Sequence, residues 1–130
     1  GALPGSEGVI VTDRTIRFGD VYALGTQEGR AIEFALTREV TPDGKFVKKL
    51  YSGDQWGVAV PSDARLIGHI HPNDVANKMW PSTTDMDSLN AQHFRMLEAN
   101  PSARPAPSRI FWGAGDADNT VFYPGFNKTP

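Results

Sequence analysis

Along residues 31–40, Ile32, Phe34 and Leu36 alternate with Glu33, Ala35 and Thr37. A period of two is the mark of a strand with one apolar face, and it turns Glu33 away from the larger apolar side chains. Residues 45–53 have a similar character. The two stretches are joined by Thr-Pro-Asp-Gly, in which Pro42 fixes φ and Gly44 tolerates positive φ. Together they predict a β-hairpin. Residues 65–72, RLIGHIHP, predict a further strand, with Leu66, Gly68 and Ile70 on one side and Ile67, His69 and His71 on the other. Val9 to Thr12 is a shorter β-branched run, a strand or an extended arm.

The period then changes. Met86, Leu89, His93, Met96 and Leu97 recur at helical spacing, Ser82 is placed to cap that helix, and the proline-rich stretch after Asn100 ends it. RIFWGA and TVFYPG around Gly-Asp-Ala-Asp-Asn predict a closing hairpin. Between Asp20 and Arg30 the pattern is ambiguous, and Gly25 and Gly29 argue against a long helix. Strands before and after one long helix predict an α/β (α+β) fold, a mixed central sheet flanked by helices.

Composition narrows the function classes. A chain of 130 residues suits a single domain, expected over residues 9–130, with Gly/Pro-rich residues 1–8 as a flexible linker or cloning remnant. The net charge of -2, with scattered basic residues, gives no support to a nucleic-acid partner. No apolar run reaches the ~18 residues of a membrane span, so no membrane insertion is expected. The absence of cysteine removes thiolate metal sites and cysteine nucleophiles.

Candidate chemistry concentrates in GHIHPNDVANKMWPSTTD, residues 68–85. His69 and His71 stand two apart on a strand and so share a face. If Ser82 caps the helix, Asp85 lies in its first turn, facing back toward the strand end. Two imidazoles and a carboxylate suit Zn²⁺ with a fourth position left for water. Ser82 and Asp85 also fit a capping box, which would occupy the same atoms for purely structural ends.

The strings H-I-H-P and P-S-T-T-D, with an upstream glutamate, resemble the signature of the JAMM (JAB/MPN+) zinc metalloproteases. The resemblance spans roughly residues 33–97 and is strongest toward the JAB-like modules of bacterial polymorphic (Rhs-type) toxins. It implies a JAB/MPN-like fold related to the cytidine deaminases, with zinc as cofactor held by His69, His71 and Asp85. It further implies catalytic roles for Ser82 and for a glutamate at the start of an early strand, which Glu33 matches, with Glu28 as second choice. Glu39 sits near the hairpin tip, away from any expected cleft. The implied reaction is hydrolysis of a peptide or isopeptide bond in a protein substrate. The implied setting is an effector secreted or delivered into a target cell, acting in its cytoplasm, with a cognate immunity protein as partner. The alternatives are a non-catalytic MPN-like binding module and a RadC-type JAB domain.

Ten residues separate His71 from Ser82, more than the family pattern has, so residues 73–80 read as an enlarged loop. Trp80 in that loop is a candidate substrate contact. Trp56 and Trp112 read as core or rim. Asp74 and Asp87 read as solvated, His93 as packed or exposed, and Gly-Asp-Ala-Asp-Asn as a hairpin turn rather than a calcium loop.

Overall fold

A computed structural model of the chain describes residues 3–12, 16–73 and 77–125. Six strands form one sheet in the order β1-β3-β2-β4-β5-β6. The strands are β1 (Val9–Val11), β2 (Phe34–Val40), β3 (Phe46–Ser52), β4 (Arg65–Ile70), β5 (Ser108–Phe111) and β6 (Asn119–Phe122). Helix α1 (Phe18–Thr26) precedes β2, and α2 (Thr83–Ala99) joins β4 to β5. Neighbouring strands are antiparallel except β4 and β5, which are parallel. A parallel pair needs a crossover, and α2 supplies it. The mixed sheet with helices is the class the sequence predicts.

Each helix covers a different face. Val21 of α1 packs with Phe34, Leu36, Leu50, Ile70 and Phe111 in one core cluster. Leu89 of α2 packs with Ile110 and Phe122 in a second. Because His69 is paired with both Ala35 and Ile110, those three residues share the α2 face. Burial of both faces explains why Phe34, Ala35, Leu36 and Thr37 are all buried despite their alternating character.

The predicted hairpins form, with Gly44 at φ 84° donating its N–H to the Thr41 carbonyl. The ambiguous stretch from Asp20 begins inside a helix, and that helix is short, ending at Thr26 before Gly29. Asp20 accepts the Arg17 N–H at 3.2 Å, closing the first turn of α1 without a Ser, Thr or Asn cap. Gly25 serves close packing: a Cβ there would lie 2.0 Å from Ile70 Cδ1 and 2.3 Å from the Ile32 carbonyl oxygen. Upstream, Gly5 and Ser52 are joined by two hydrogen bonds, so part of residues 1–8 lies against β3.

One correction concerns β4. Leu36 is paired with Gly68, but Thr37 is paired with Leu66, so Ile67 is an extra residue, a bulge. The bulge reverses the alternation below Gly68. Ile67 packs against the α1-side cluster, and Leu66 joins His69 on the α2 side, where it lines the main cleft. The residues that matter for chemistry, His69 and His71, lie above the bulge and keep the shared face that their spacing predicts.

Candidate metal centre

The site lies where β4 ends and α2 begins. The ladder runs past the formal strand ends: the His71 N–H donates to the Phe111 carbonyl at 2.9 Å, and the Glu33 N–H to the Asp54 carbonyl at 2.8 Å. Both backbones are therefore held by the sheet. Glu33 is two residues before Ala35, which is the register partner of His69, so the Glu33 side chain emerges on the histidine face.

At the head of α2, the Asp85 N–H donates to Ser82 Oγ at 3.1 Å, and the Ser82 N–H donates to Asp85 Oδ2 at 2.9 Å. This is the capping box the sequence allows. It coexists with a second set of contacts. His69 Nε2 lies 3.1 Å from Asp85 Oδ1, His71 Nε2 lies 3.2 Å from Asp85 Oδ2, and the two imidazole nitrogens are 3.1 Å apart. The cap fixes the carboxylate by its amide contacts and aims it at the histidines. Structural and chemical uses of Asp85 reinforce each other.

The enlarged loop also takes part. His71 Nδ1 is 2.9 Å from the Lys78 carbonyl oxygen. A carbonyl can only accept, so Nδ1 carries a hydrogen, and Nε2 is the atom turned to the site, a donor to Asp85 in the protonated ring and a lone-pair ligand in the neutral one. Hydrogen bonds of this kind, from the ring nitrogen turned away from the ion, commonly orient metal-ligating histidines. His69 is buried, and its Nδ1 has no hydrogen-bond partner among the described residues.

Electrostatics follow from burial and proximity. Burial works to raise the Asp85 carboxyl, but hydrogen bonds from His69 and His71 outweigh it and hold the group well below the usual carboxylate range. Burial works to lower His71, and the Asp85 hydrogen bond reverses this, so its pKa is raised. Glu33 has no such hydrogen-bonded partner among the described residues. Burial pushes its carboxyl up to about 7; the charges of His69 and His71 pull it back, and those of Asp85 and Asp54 oppose them. A carboxyl near neutrality beside a polar cluster is suited to exchanging protons.

Glu33, His69, His71, Ser82, Asp85 and Trp80 all line one cleft of about 410 Å³. His69, His71 and Asp85 form a group of donor atoms that could hold a metal ion. The other acids separate clearly. Glu28 lies in a 3₁₀ turn at φ 56° and does not line the cleft. Glu39 accepts the Thr37 and Tyr51 hydroxyls at 2.6 and 2.5 Å, a structural post away from the cleft. Asp87 is exposed and His93 half-buried, both outside the donor group, while Trp112 donates to Thr120 within the α2 side of the fold. Asp74 lies outside the described residues.

Trp56, which the sequence reads only as core or rim, is a cleft residue to which sequence reasoning gave no functional role. It is 72% exposed on the cleft wall, in a turn where Asp54 Oδ1 accepts the Trp56 and Gly57 N–H groups at 2.8 and 3.0 Å. The available signal was local: a tryptophan three residues from the end of a predicted strand, flanked by Asp54 and Gly57, sits in turn chemistry rather than in a core pattern. The chain matches no family model, no curated protein and no solved structure.

Proposed function

We propose that the protein is a zinc-dependent peptidase or isopeptidase of the JAMM type, with a JAB/MPN-like fold. The observation that carries this reading is the convergence of Glu33, Ser82 and the His69–His71–Asp85 group on one cleft. Zinc is the ion that suits the donors, since two imidazoles and one carboxylate leave a fourth, open position of a tetrahedron. Ligand bonds of about 2.0–2.1 Å place tetrahedral donors ~3.3 Å apart. The two imidazole nitrogens, 3.1 Å apart, come close to that edge length, and each lies 3.1–3.2 Å from one oxygen of the Asp85 carboxylate.

When bound, zinc would lower the pKa of a coordinated water toward ~7 and polarise the scissile carbonyl. The chain's own groups supply the rest. Glu33 takes a proton from the attacking water and delivers it to the leaving nitrogen as the C–N bond breaks; a carboxyl near pH 7 serves both steps. Ser82 Oγ uses a lone pair for the Asp85 N–H and retains its hydroxyl hydrogen. That hydrogen is available to the oxyanion that forms on the substrate carbonyl, a role typically worth ~3–4 kcal/mol. Asp85 and His71 keep their orientation through the cap and the Lys78 carbonyl.

The test has two readouts. Purified chain should carry about one zinc, and the zinc-loaded protein should hydrolyse an unfolded protein such as casein, while Glu33→Gln keeps the metal and loses the hydrolysis. A wild type that binds no zinc under metal-replete conditions sinks the reading. The wider setting, a toxin effector countered by an immunity protein, rests on the likeness of the H-I-H-P and P-S-T-T-D strings. Its test is growth arrest on expression of the wild type inside bacteria, relieved by Glu33→Gln.

A further inference from the structure

The walls of the cleft differ in chemistry from its floor. Apart from Glu33, His69, His71 and Asp85, the one charged side chain lining it among the described residues is Lys78. Ala35, Val58, Val60 and Leu66 give an apolar surface, and Trp56 and Trp80 stand over it at 72% and 63% exposure. Two tryptophans this exposed contribute little to the core, and leaving them in water disfavours the isolated fold relative to polar residues. They belong to different loops. Trp56 is in the β3–β4 loop, Trp80 in the β4–α2 loop.

Those loops are held to a fixed relation. Asn73 Nδ2 donates to the Gln55 carbonyl at 2.7 Å, which ties the residue before Trp56 to the chain just after His71. The Asp54 carboxylate, through the Trp56 and Gly57 amides, sets the turn that presents the first indole. The His71 contact with the Lys78 carbonyl anchors the second loop two residues from Trp80. Both aromatic rims are therefore pinned to the strand end that bears the candidate metal ligands.

We propose that Trp56 and Trp80 form a specificity subsite that receives a large apolar side chain, aromatic above all, of an extended peptide segment beside the scissile bond. This rests on the hydrolase reading and adds the substrate class to it. Three observations choose the occupant. The volume of about 410 Å³ is near the low end of the ~300–1,000 Å³ typical of ligand pockets, so it fits a few residues of extended chain and not a folded surface. With Lys78 as the one charged wall residue, the walls offer a basic side chain no partner for its desolvation and favour an uncharged one. Paired indoles favour stacking or edge contact with another ring. Asn73 is a positioning residue in this scheme, because it acts through Gln55 on the setting of Trp56.

A binding measurement tests this without requiring turnover. Zinc-loaded Glu33→Gln protein is titrated with N-acetyl-phenylalaninamide, N-acetyl-alaninamide and N-acetyl-lysinamide, following tryptophan fluorescence. The phenylalanine amide should bind at least about tenfold more tightly than the other two, and Trp56→Ala or Trp80→Ala should remove that difference with zinc content unchanged. Asn73→Ala should weaken the phenylalanine amide alone. Equal binding of the three amides, or preference unchanged in both tryptophan variants, overturns the subsite. Cleavage-site mapping of casein by mass spectrometry separates the two claims. Cuts without apolar preference reject the subsite and leave the hydrolase. Selective amide binding with no cleavage by the wild type rejects the hydrolase and leaves the subsite.

Discussion

Replacing Glu33 by glutamine should stabilise the metal-free protein at alkaline pH and do nothing for it in acid. The carboxyl titrates near 4.5 in the unfolded chain and near about 7 in the folded one. Below 4.5 both states hold the proton. Between the two values the folded state keeps a proton that the unfolded state has released, so stability falls as pH rises. Above about 7 the loss is complete and the slope vanishes. At ~1.4 kcal/mol for each tenfold difference in proton affinity, the full loss is about 3.4 kcal/mol. Glu33 is only partly buried, and water screens what it reaches, so about 1–3 kcal/mol is the working figure. Glutamine does not titrate, so the variant escapes this loss. Urea unfolding of both proteins in a chelator at pH 4, 6 and 8 should show no stability difference at pH 4 beyond that of the substitution itself. The variant should gain progressively toward pH 8. Saturating zinc should narrow the gap, since a nearby cation favours the ionised carboxylate. A difference that is the same at all three pH values refutes the reasoning, because it would mean that Glu33 is not held in the desolvated position described.

His71→Ala should leave less than a tenth of the wild-type zinc after dialysis, read by elemental analysis, while circular dichroism stays unchanged. Asp85→Asn keeps an oxygen that can accept the Ser82 N–H but lacks the anionic ligand, so it should lose zinc with only a small change in melting temperature. Ser82→Ala removes the cap acceptor and the oxyanion donor together; about 1 kcal/mol of stability and roughly 10²–10³ in kcat should go, with zinc retained. Gly25→Ala forces a methyl against Ile70 Cδ1 and the Ile32 carbonyl and should cost about 1–3 kcal/mol in urea unfolding, while the zinc content of the folded protein is unaffected.

The parts of the fold that could be read directly are those whose signals are local. The Thr-Pro-Asp-Gly turn, the period-two strand after Ile32 and the Ser82 cap each announce themselves within a few residues. What escaped depends on contacts between distant segments. Helix α1 is short, carries two glycines and lacks a recognisable cap residue, and it is fixed by packing of Val21 against Ile70 and Phe111. The Ile67 bulge is a relation between β4 and β2, and one strand's sequence does not encode it. For the site, spacing alone brought His69 and His71 together, whereas Glu33 needed the β2–β4 register to reach them. Trp56 belongs to the cleft only because the β3–β4 loop folds back to Asn73.

The position of Asp85 in the first turn of α2 raises a last electrostatic question. A helix N-terminus carries partial positive charge, which opposes a cation bound beside it and favours negative charge, each by about 0.3–1 kcal/mol. Apparent binding energies of structural zinc in small domains are about 10–16 kcal/mol, so the dipole is far too weak to decide occupancy. It acts in the useful direction on everything else. It adds to the histidine contacts that keep Asp85 ionised, and in the proposed reaction it would favour negative charge on a substrate carbonyl near Ser82. The same helix start that accounts for Ser82 and Asp85 as structural residues therefore also supplies a field matched to the proposed oxyanion. Capping and the proposed catalysis would draw on one arrangement of amides, and a variant that moves the cap should disturb both together.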